Sequence, residues 1–392
     1  MKAEKQIKLG AIISYIALIT NILITLFYTP WMVSKIGKDG YGLYTLSISL
    51  IGMLMLDFGL GVAATRYLSK YKAENNTEKE AEFLGAIFKL YILIDIFILI
   101  VLSVVYVFLA NIYKALTVNE LEQFKLLFII VAAFNLLSFP ATPLSGIFNA
   151  YEQFVPLKLC DLFNKIFSVI LVVVFLYFGY GVTELVLCNA VSGILTILLK
   201  IILAKRKTGF KINWRTKDKK IYKEIFSFSI WTTINSIASR LTHNMAPSIL
   251  AIICGSIAVS MYSPASSLGS YFYSIAVAIN GLFLPQISRL VADNKENEIM
   301  PLMIKVGRYQ VFILGLVLAG FICVGDIFIT LWMGADFISS YYCTILIMVP
   351  AFFEYSQQIA NTTIVVKNKV KKQALLLIMT SILCVGLSFL GA

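Results

Sequence analysis

Eleven apolar runs follow one another along the 392 residues of this chain, each near the ~20 residues that a helix needs to cross about 30 Å of hydrocarbon. They cover roughly 9–34, 41–65, 83–110, 124–147, 162–180, 185–203, 225–253, 259–284, 309–331, 340–364 and 373–391. Charged residues make up 14% of the chain and hydrophobic ones 59%, whereas a soluble domain carries about 25% charged residues. So little polar surface cannot face water over such a length. The composition excludes a soluble enzyme, a disordered protein and a nucleic-acid binder, and it predicts an all-α polytopic membrane protein. The first run follows Lys2, Lys5 and Lys8 and stays uncharged from Leu9 to Ser34. That is too long for the h-region of a signal peptide, so it reads as the first transmembrane helix.

The net charge of +12 is read through its distribution, because cytoplasmic loops collect Lys and Arg. With the N-terminus inside, 26 of the 33 basic residues fall on inner segments. Among these are Arg66, Lys70, Lys72 and Lys79, Lys158 and Lys165, nine between Lys205 and Lys223, and Lys367, Lys369, Lys371 and Lys372. Only Lys35, Lys38, Lys114 and Lys125 fall outside, and Lys89, Lys200 and Arg240 lie within apolar runs. This asymmetry predicts a cytoplasmic N-terminus.

One long basic break, AKRKTGFKINWRTKDKKIYKE (204–224), separates a six-helix bundle (1–203) from a second bundle (225–392) that ends after the eleventh helix. It reads as a topogenic cytoplasmic linker that also touches anionic headgroups. The two parts look like repeats. GKDGYGLYTLSISL (37–50) aligns with GSIAVSMYSPASSL (255–268), matching Gly37 to Gly255, Tyr44 to Tyr262, and Ser49-Leu50 to Ser267-Leu268. Repeats of six helices are parallel, and internal repeats accompany alternating access in transporters. The six cysteines sit in or beside apolar runs without a CxxC pair, and there is one histidine. Neither a disulfide framework nor a metal site is expected.

TPWMVSKIGKDGYGLYTL (29–46), LDFGLGVAATRYLSKY (56–71), GIFNAYEQF (146–154) and LFLPQISRL (282–290) resemble polysaccharide-exporter flippases of the Wzx type. These belong to the larger superfamily of multidrug, oligosaccharidyl-lipid and polysaccharide transporters. The resemblance covers nearly the whole chain. It implies a two-lobed transporter of twelve to fourteen helices that moves undecaprenyl-diphosphate-linked oligosaccharide to the outer leaflet for O-antigen, capsule or other surface polysaccharide. A polysaccharide polymerase and a chain-length regulator are the implied partners, besides membrane lipid. The second bundle here is a helix short of that pattern, so a fragment or a truncated frame is expected.

Ionisable groups inside a membrane usually face a cavity and a partner. Arg240, His243 and Asn244 stand three and four residues apart near the middle of the seventh helix, on one face. A guanidinium offers forked donors to a diphosphate, making these three the candidate substrate contacts. The competing reading pairs Arg240 with Glu354 to hold the bundle together. Asp57, Asp95, Glu354 and Lys89 are candidates for ion coupling or cavity pairing, with a proton or sodium as the coupling ion and no other cofactor. Lys89 could equally snorkel to the interface, and most aromatics read as interfacial belt residues.

No Walker loop is present, and the longest outer loop, about Asn111 to Gln123, is too short for a catalytic domain. A membrane glycosyltransferase or polymerase is therefore disfavoured, and no enzyme activity is expected. On the same architecture, a cation-coupled multidrug antiporter would need carboxylates dominating the cavity. A lipid II flippase would need a more arginine-rich one.

Overall fold

Hydrocarbon offers no partner to a backbone N–H or C=O, so a chain crossing it as single segments must form helices. The computed structural model describes residues 3–215, 219–292, 295–366 and 370–391, and among them all regular structure is helical. In order these are α1 (Ala3–Leu54), α2 (Leu60–Ala73), α3 (Thr77–Ile112), α4 (Val118–Ser138), α5 (Pro143–Ala150), α6 (Phe154–Tyr177), α7 (Val182–Thr208), α8 (Lys219–Ile253), α9 (Ser256–Ala292), α10 (Glu296–Met333), α11 (Ile338–Ser356), α12 (Gln358–Val366) and α13 (Val370–Gly391). Single 3-10 turns at Phe139–Ala141 and Ala335–Phe337 precede α5 and α11. Lys2, Lys217, Lys367 and Lys369 of the charge pattern lie outside the described residues.

The kink at Gly37 makes two helices of α1, while α5 and α12 continue α4 and α11. With α2 also taken as the continuation of α1 past its break, the described residues hold eleven segments, in approximate agreement with the apolar runs. Among the described residues eight stretches, from Ile16–Leu54 to Lys371–Phe389, are long and apolar enough to cross a membrane. Boundaries differ where local chemistry overrides hydropathy. The run at 41–65 does not stay helical: α1 stops at Leu54 and α2 starts at Leu60, with Phe58 at φ 50° and Gly59 at φ 68° between them. The run at 124–147 breaks at Pro140 and Pro143, since a proline removes a backbone donor and crowds the preceding turn. The run at 162–180 begins earlier, at Phe154, and this places Lys165 in mid-helix, away from any loop.

Sequence signals set several ends. Thr117 and Glu120 form a capping box on α4, with Thr117 N–H donating to Glu120 Oε2 at 2.8 Å and Glu120 N–H donating to Thr117 Oγ1 at 3.3 Å. Asn76 Oδ1 accepts from Lys79 N–H at 3.0 Å to start α3. Gly37 (φ 76°) and Gly255 (φ 84°), aligned by the repeat, both occupy the left-handed region that a side chain disfavours.

The helices group into two compact units. The first comprises residues 1–256 with 377–392. Its core holds Phe83, Leu84, Tyr91, Phe124, Phe128 and Phe148, all essentially inaccessible. Within it α6 packs on α7 and α1, α8 packs on α1, and α2 packs on α5. Two motifs of the family resemblance thus meet as α2 and α5. An added Cβ at Gly146 would come within 2.9 Å of Ala64 Cβ, so glycine permits that approach. The second unit is residues 257–376. Phe272, Ala276, Leu314, Met348, Ala351 and Tyr355 form one of its clusters. The outer faces reverse the rule for water-soluble proteins, with Leu93, Val107, Phe312, Leu316 and Leu331 all widely exposed. That is the expected surface for a protein solvated by lipid.

Candidate functional site

The polar groups of the first unit gather at the break between α1 and α2. The segment 55–59 leaves the helix because Asp57 folds its carboxylate back, with Oδ1 accepting from Gly59 N–H at 3.1 Å. This Asx-type turn stabilises the two left-handed residues that re-aim the chain. Asp57 Oδ2 lies 3.3 Å from the Cβ position of Gly61, beside the Tyr91 hydroxyl.

Arg240 reaches this break from α8. Its Nη1 donates to the carbonyl of Gly52 in the last turn of α1. Asn244, one turn further along α8, sits with Nδ2 3.5 Å from the Cβ position of Gly52. Asp57 is close enough to act electrostatically on both Arg240 and Tyr91. The structure therefore brings together Arg240, Asn244 and Asp57. His243 diverges from them and is exposed.

Tyr91 is the residue that the belt reading of the aromatics misses. It is fully buried in α3, and its hydroxyl has no hydrogen-bond partner among the described residues. Asp95 stands one turn further on the same helix with Oδ1 buried and likewise without a partner. Residues four apart share a helix face, so α3 presents a hydroxyl and a carboxylate side by side. A tyrosine four residues before an intramembrane aspartate was the available sequence signal. Lys89 is half-buried on α3 and is not without a partner. Glu354 lies on α11 of the second unit, where it is exposed.

A second polar ladder joins α6 to α7. Lys200 Nζ meets Asp161 Oδ1 at 2.9 Å, and Lys158 lies 3.9 Å from the other oxygen of that carboxylate. Ser192 Oγ donates to Asn164 Oδ1 at 2.9 Å. Ser168 donates to Asn189, whose amide donates in turn to the Tyr44 hydroxyl at 3.4 Å. Alternating hydroxyls, amides and charges along two facing helices give a wettable flank inside an apolar bundle. Among the described residues no three His, Cys, Asp or Glu side chains converge as a metal site.

At the end of the first unit that holds α2, Tyr151 donates to the buried carboxylate of Glu80, and Lys72 Nζ stands 4.3 Å from the Tyr151 ring centroid. Burial first, and then the Glu80 carboxylate, push the Tyr151 phenol above its ordinary value. The phenol stays a donor and the carboxylate an acceptor, which fixes the entry to α6 against α3.

Comparison with known proteins agrees with this architecture. A Shigella flexneri protein named "Putative O-antigen transporter" is 22% identical over 354 residues, spanning 87% of this chain and 80% of that protein. An inward-facing multidrug resistance MATE family transporter of the MOP superfamily superposes with a TM-score of 0.75 at 13% identity, over 94% of this chain and 88% of that one. A MOP superfamily transporter from Pyrococcus furiosus, described as having a binding pocket of reverse polarity, gives a TM-score of 0.63 at 13% identity over 99% of this chain and 94% of that one. At such identities the structural matches establish the fold alone: that of membrane transporters. The family model described as polysaccharide biosynthesis protein matches residues 7–291, and the chain belongs to that family.

Proposed function

We propose that the chain is a flippase that carries polyprenyl-diphosphate-linked oligosaccharide from the inner to the outer leaflet of a bacterial cytoplasmic membrane by alternating access. The observation that carries this reading is the family match over residues 7–291. The intramembrane cations support it, since a diphosphate headgroup needs positive charge wherever water is scarce.

Arg240 spends one N–H on the Gly52 carbonyl, and a guanidinium has five such donors. The remaining donors hold a phosphate oxygen, while Asn244 offers an amide to the same oxygen or to the first sugar, and exposed His243 lines the path. Asp57, Asp95 and Tyr91 form the set through which a proton or sodium ion couples to the movement. Glu354 is the corresponding candidate in the second unit. Lys2, Lys5 and Lys8 hold the N-terminus inside, and an inside-negative potential favours outward movement of negative charge by about 2.3 kcal/mol per charge per 100 mV. The protein performs no covalent chemistry, and it delivers its cargo to a polymerase with a chain-length regulator.

Deletion of the gene tests the reading. Lipid-linked repeat units should accumulate on the cytoplasmic leaflet and surface glycan should disappear, both restored by the wild-type chain. Unchanged surface glycan, together with new sensitivity to cationic drugs, would establish an antiporter instead.

A further inference from the structure

The charge pattern of the sequence assigns Lys165 to an inner loop, but the structure places it at the twelfth of the 24 residues of α6. At 1.5 Å per residue it stands about 17 Å from either helix end, inside a helix long and apolar enough to cross a membrane. An ammonium there costs at least ~2.5 kcal/mol, and such groups face a cavity or a partner. Among the described residues Lys165 has neither an ion pair nor a hydrogen bond. The nearest acid in sequence, Asp161, is already held by Lys200 at 2.9 Å and Lys158 at 3.9 Å. Two lysines thus share that carboxylate, which leaves Lys165 uncompensated among the described residues.

Burial along α6 shows where this charge points. Asp161, Lys165, Ser168, Val172 and Leu176 recur at three- and four-residue spacing on one face. Val172 and Leu176 are 0% and 1% exposed, whereas the Asp161 side chain is 45% exposed and Lys165 and Ser168 are intermediate. On α7 the facing residues repeat the gradient, from Lys200 at 19% to Thr196 at 5% and Ser192 at 0%. The face is sealed at both ends, by Leu157 at 7% exposure toward the N-terminus of α6 and by Val172 and Leu176 toward its C-terminus, and it opens between them, from Asp161 to Ser168. Lys165 sits within this opening, between the Asp161–Lys200 pair and the Ser168–Asn189 bond. Lys158 stands on its Asp161 side, a basic approach suited to an anion.

From this geometry we infer that Lys165 is the centre of a phosphate-binding station on the α6/α7 flank, which receives the diphosphate of the lipid-linked cargo in addition to Arg240. The inference rests on the flippase reading above. Asn164, whose Oδ1 accepts from Ser192, offers its amide N–H to the bridging oxygen or the first sugar, and Ser168, which donates to Asn189, offers its hydroxyl oxygen as an acceptor to a sugar hydroxyl. Lys200 is neutralised by Asp161 and serves to hold the flank open and hydrated.

The test is binding of undecaprenyl diphosphate and of uncharged undecaprenol to the purified full chain in zwitterionic nanodiscs, with Lys165→Gln and Lys165→Arg alongside wild type. Lys165→Gln should weaken diphosphate binding by about tenfold or more, Lys165→Arg should stay near wild type, and undecaprenol binding should not change in any of them. Diphosphate binding by Lys165→Gln equal to wild type overturns the station. So does a loss shared by undecaprenol, which marks a packing role, or full displacement by phosphatidylglycerol at equal concentration, which marks an ordinary lipid contact. A wild-type chain that binds the two prenyl compounds alike overturns the flippase reading itself, and its outcome is distinct from the others.

Discussion

The Arg240 guanidinium is tied to the Gly52 carbonyl, so that α8 is fastened to the last turn of α1 immediately before the Asp57 break. A cation in this position anchors a helix and balances a carboxylate at once. Arg240→Ala removes a charge-assisted hydrogen bond of ~1.5–3 kcal/mol and leaves Asp57 uncompensated. Glycan export at equal protein level should fall about tenfold to a hundredfold. Combining Arg240→Gln with Asp57→Asn should recover part of the lost thermal stability, since neighbours sharing one interaction are not additive. Strict additivity in that double-mutant cycle would show that the two charges act independently.

Tyr151 and Glu80 make the second prediction. Tyr151→Phe leaves a carboxylate that is only 6% exposed without its phenolic donor, at a cost of about 1–3 kcal/mol. A lowered melting temperature in detergent would register it. The phenol's pKa is raised by burial first and by Glu80 second. The folded state therefore holds this proton more tightly than the unfolded state, and the stabilisation is fully present below the unfolded value of about 10. It is lost as pH rises from there through the folded value. The stability difference between wild type and Tyr151→Phe should narrow only above about pH 10, and narrowing near neutrality would contradict the assignment.

Gly37 gives a conformational prediction free of steric complications, because nothing lies within 4 Å of an added Cβ there. At φ 76° and ψ 168°, a combination open essentially to glycine alone, Gly37→Ala should cost about 1–3 kcal/mol from backbone strain, and Gly37→Asn as much, since asparagine's tolerance is confined to the left-handed helical region. Gly255→Ala, at the aligned position, should cost at least as much, as its Cβ would also meet the Ala115 carbonyl at 3.4 Å. Melting temperatures of the three variants decide it.

The membrane spans were legible because burial in lipid demands uninterrupted apolar length, and hydropathy reads length directly. The α4 capping box is equally plain in the Thr117–Glu120 spacing. The break at 55–59 was not legible: Met55, Leu56 and Phe58 look like membrane residues, and only the Asp57 side chain turning on Gly59 reveals the irregular backbone. Lys165 was hidden by the same logic in reverse. A lysine near a hydropathy boundary reads as loop, although α6 begins eight residues before the apolar run becomes continuous. Arg240, Asn244 and Asp57 were found by charge inside apolar sequence. Tyr91 was not, because its hydroxyl matters only once α3 is placed against the break.

The most direct measurement is transbilayer movement of a fluorescent undecaprenyl-diphosphate oligosaccharide in vesicles containing the purified chain. The account predicts that labelled headgroups move to the opposite leaflet faster than in protein-free vesicles, and that Arg240→Ala slows this by about tenfold or more. Movement no faster than in protein-free vesicles, with the chain folded and inserted, would contradict it.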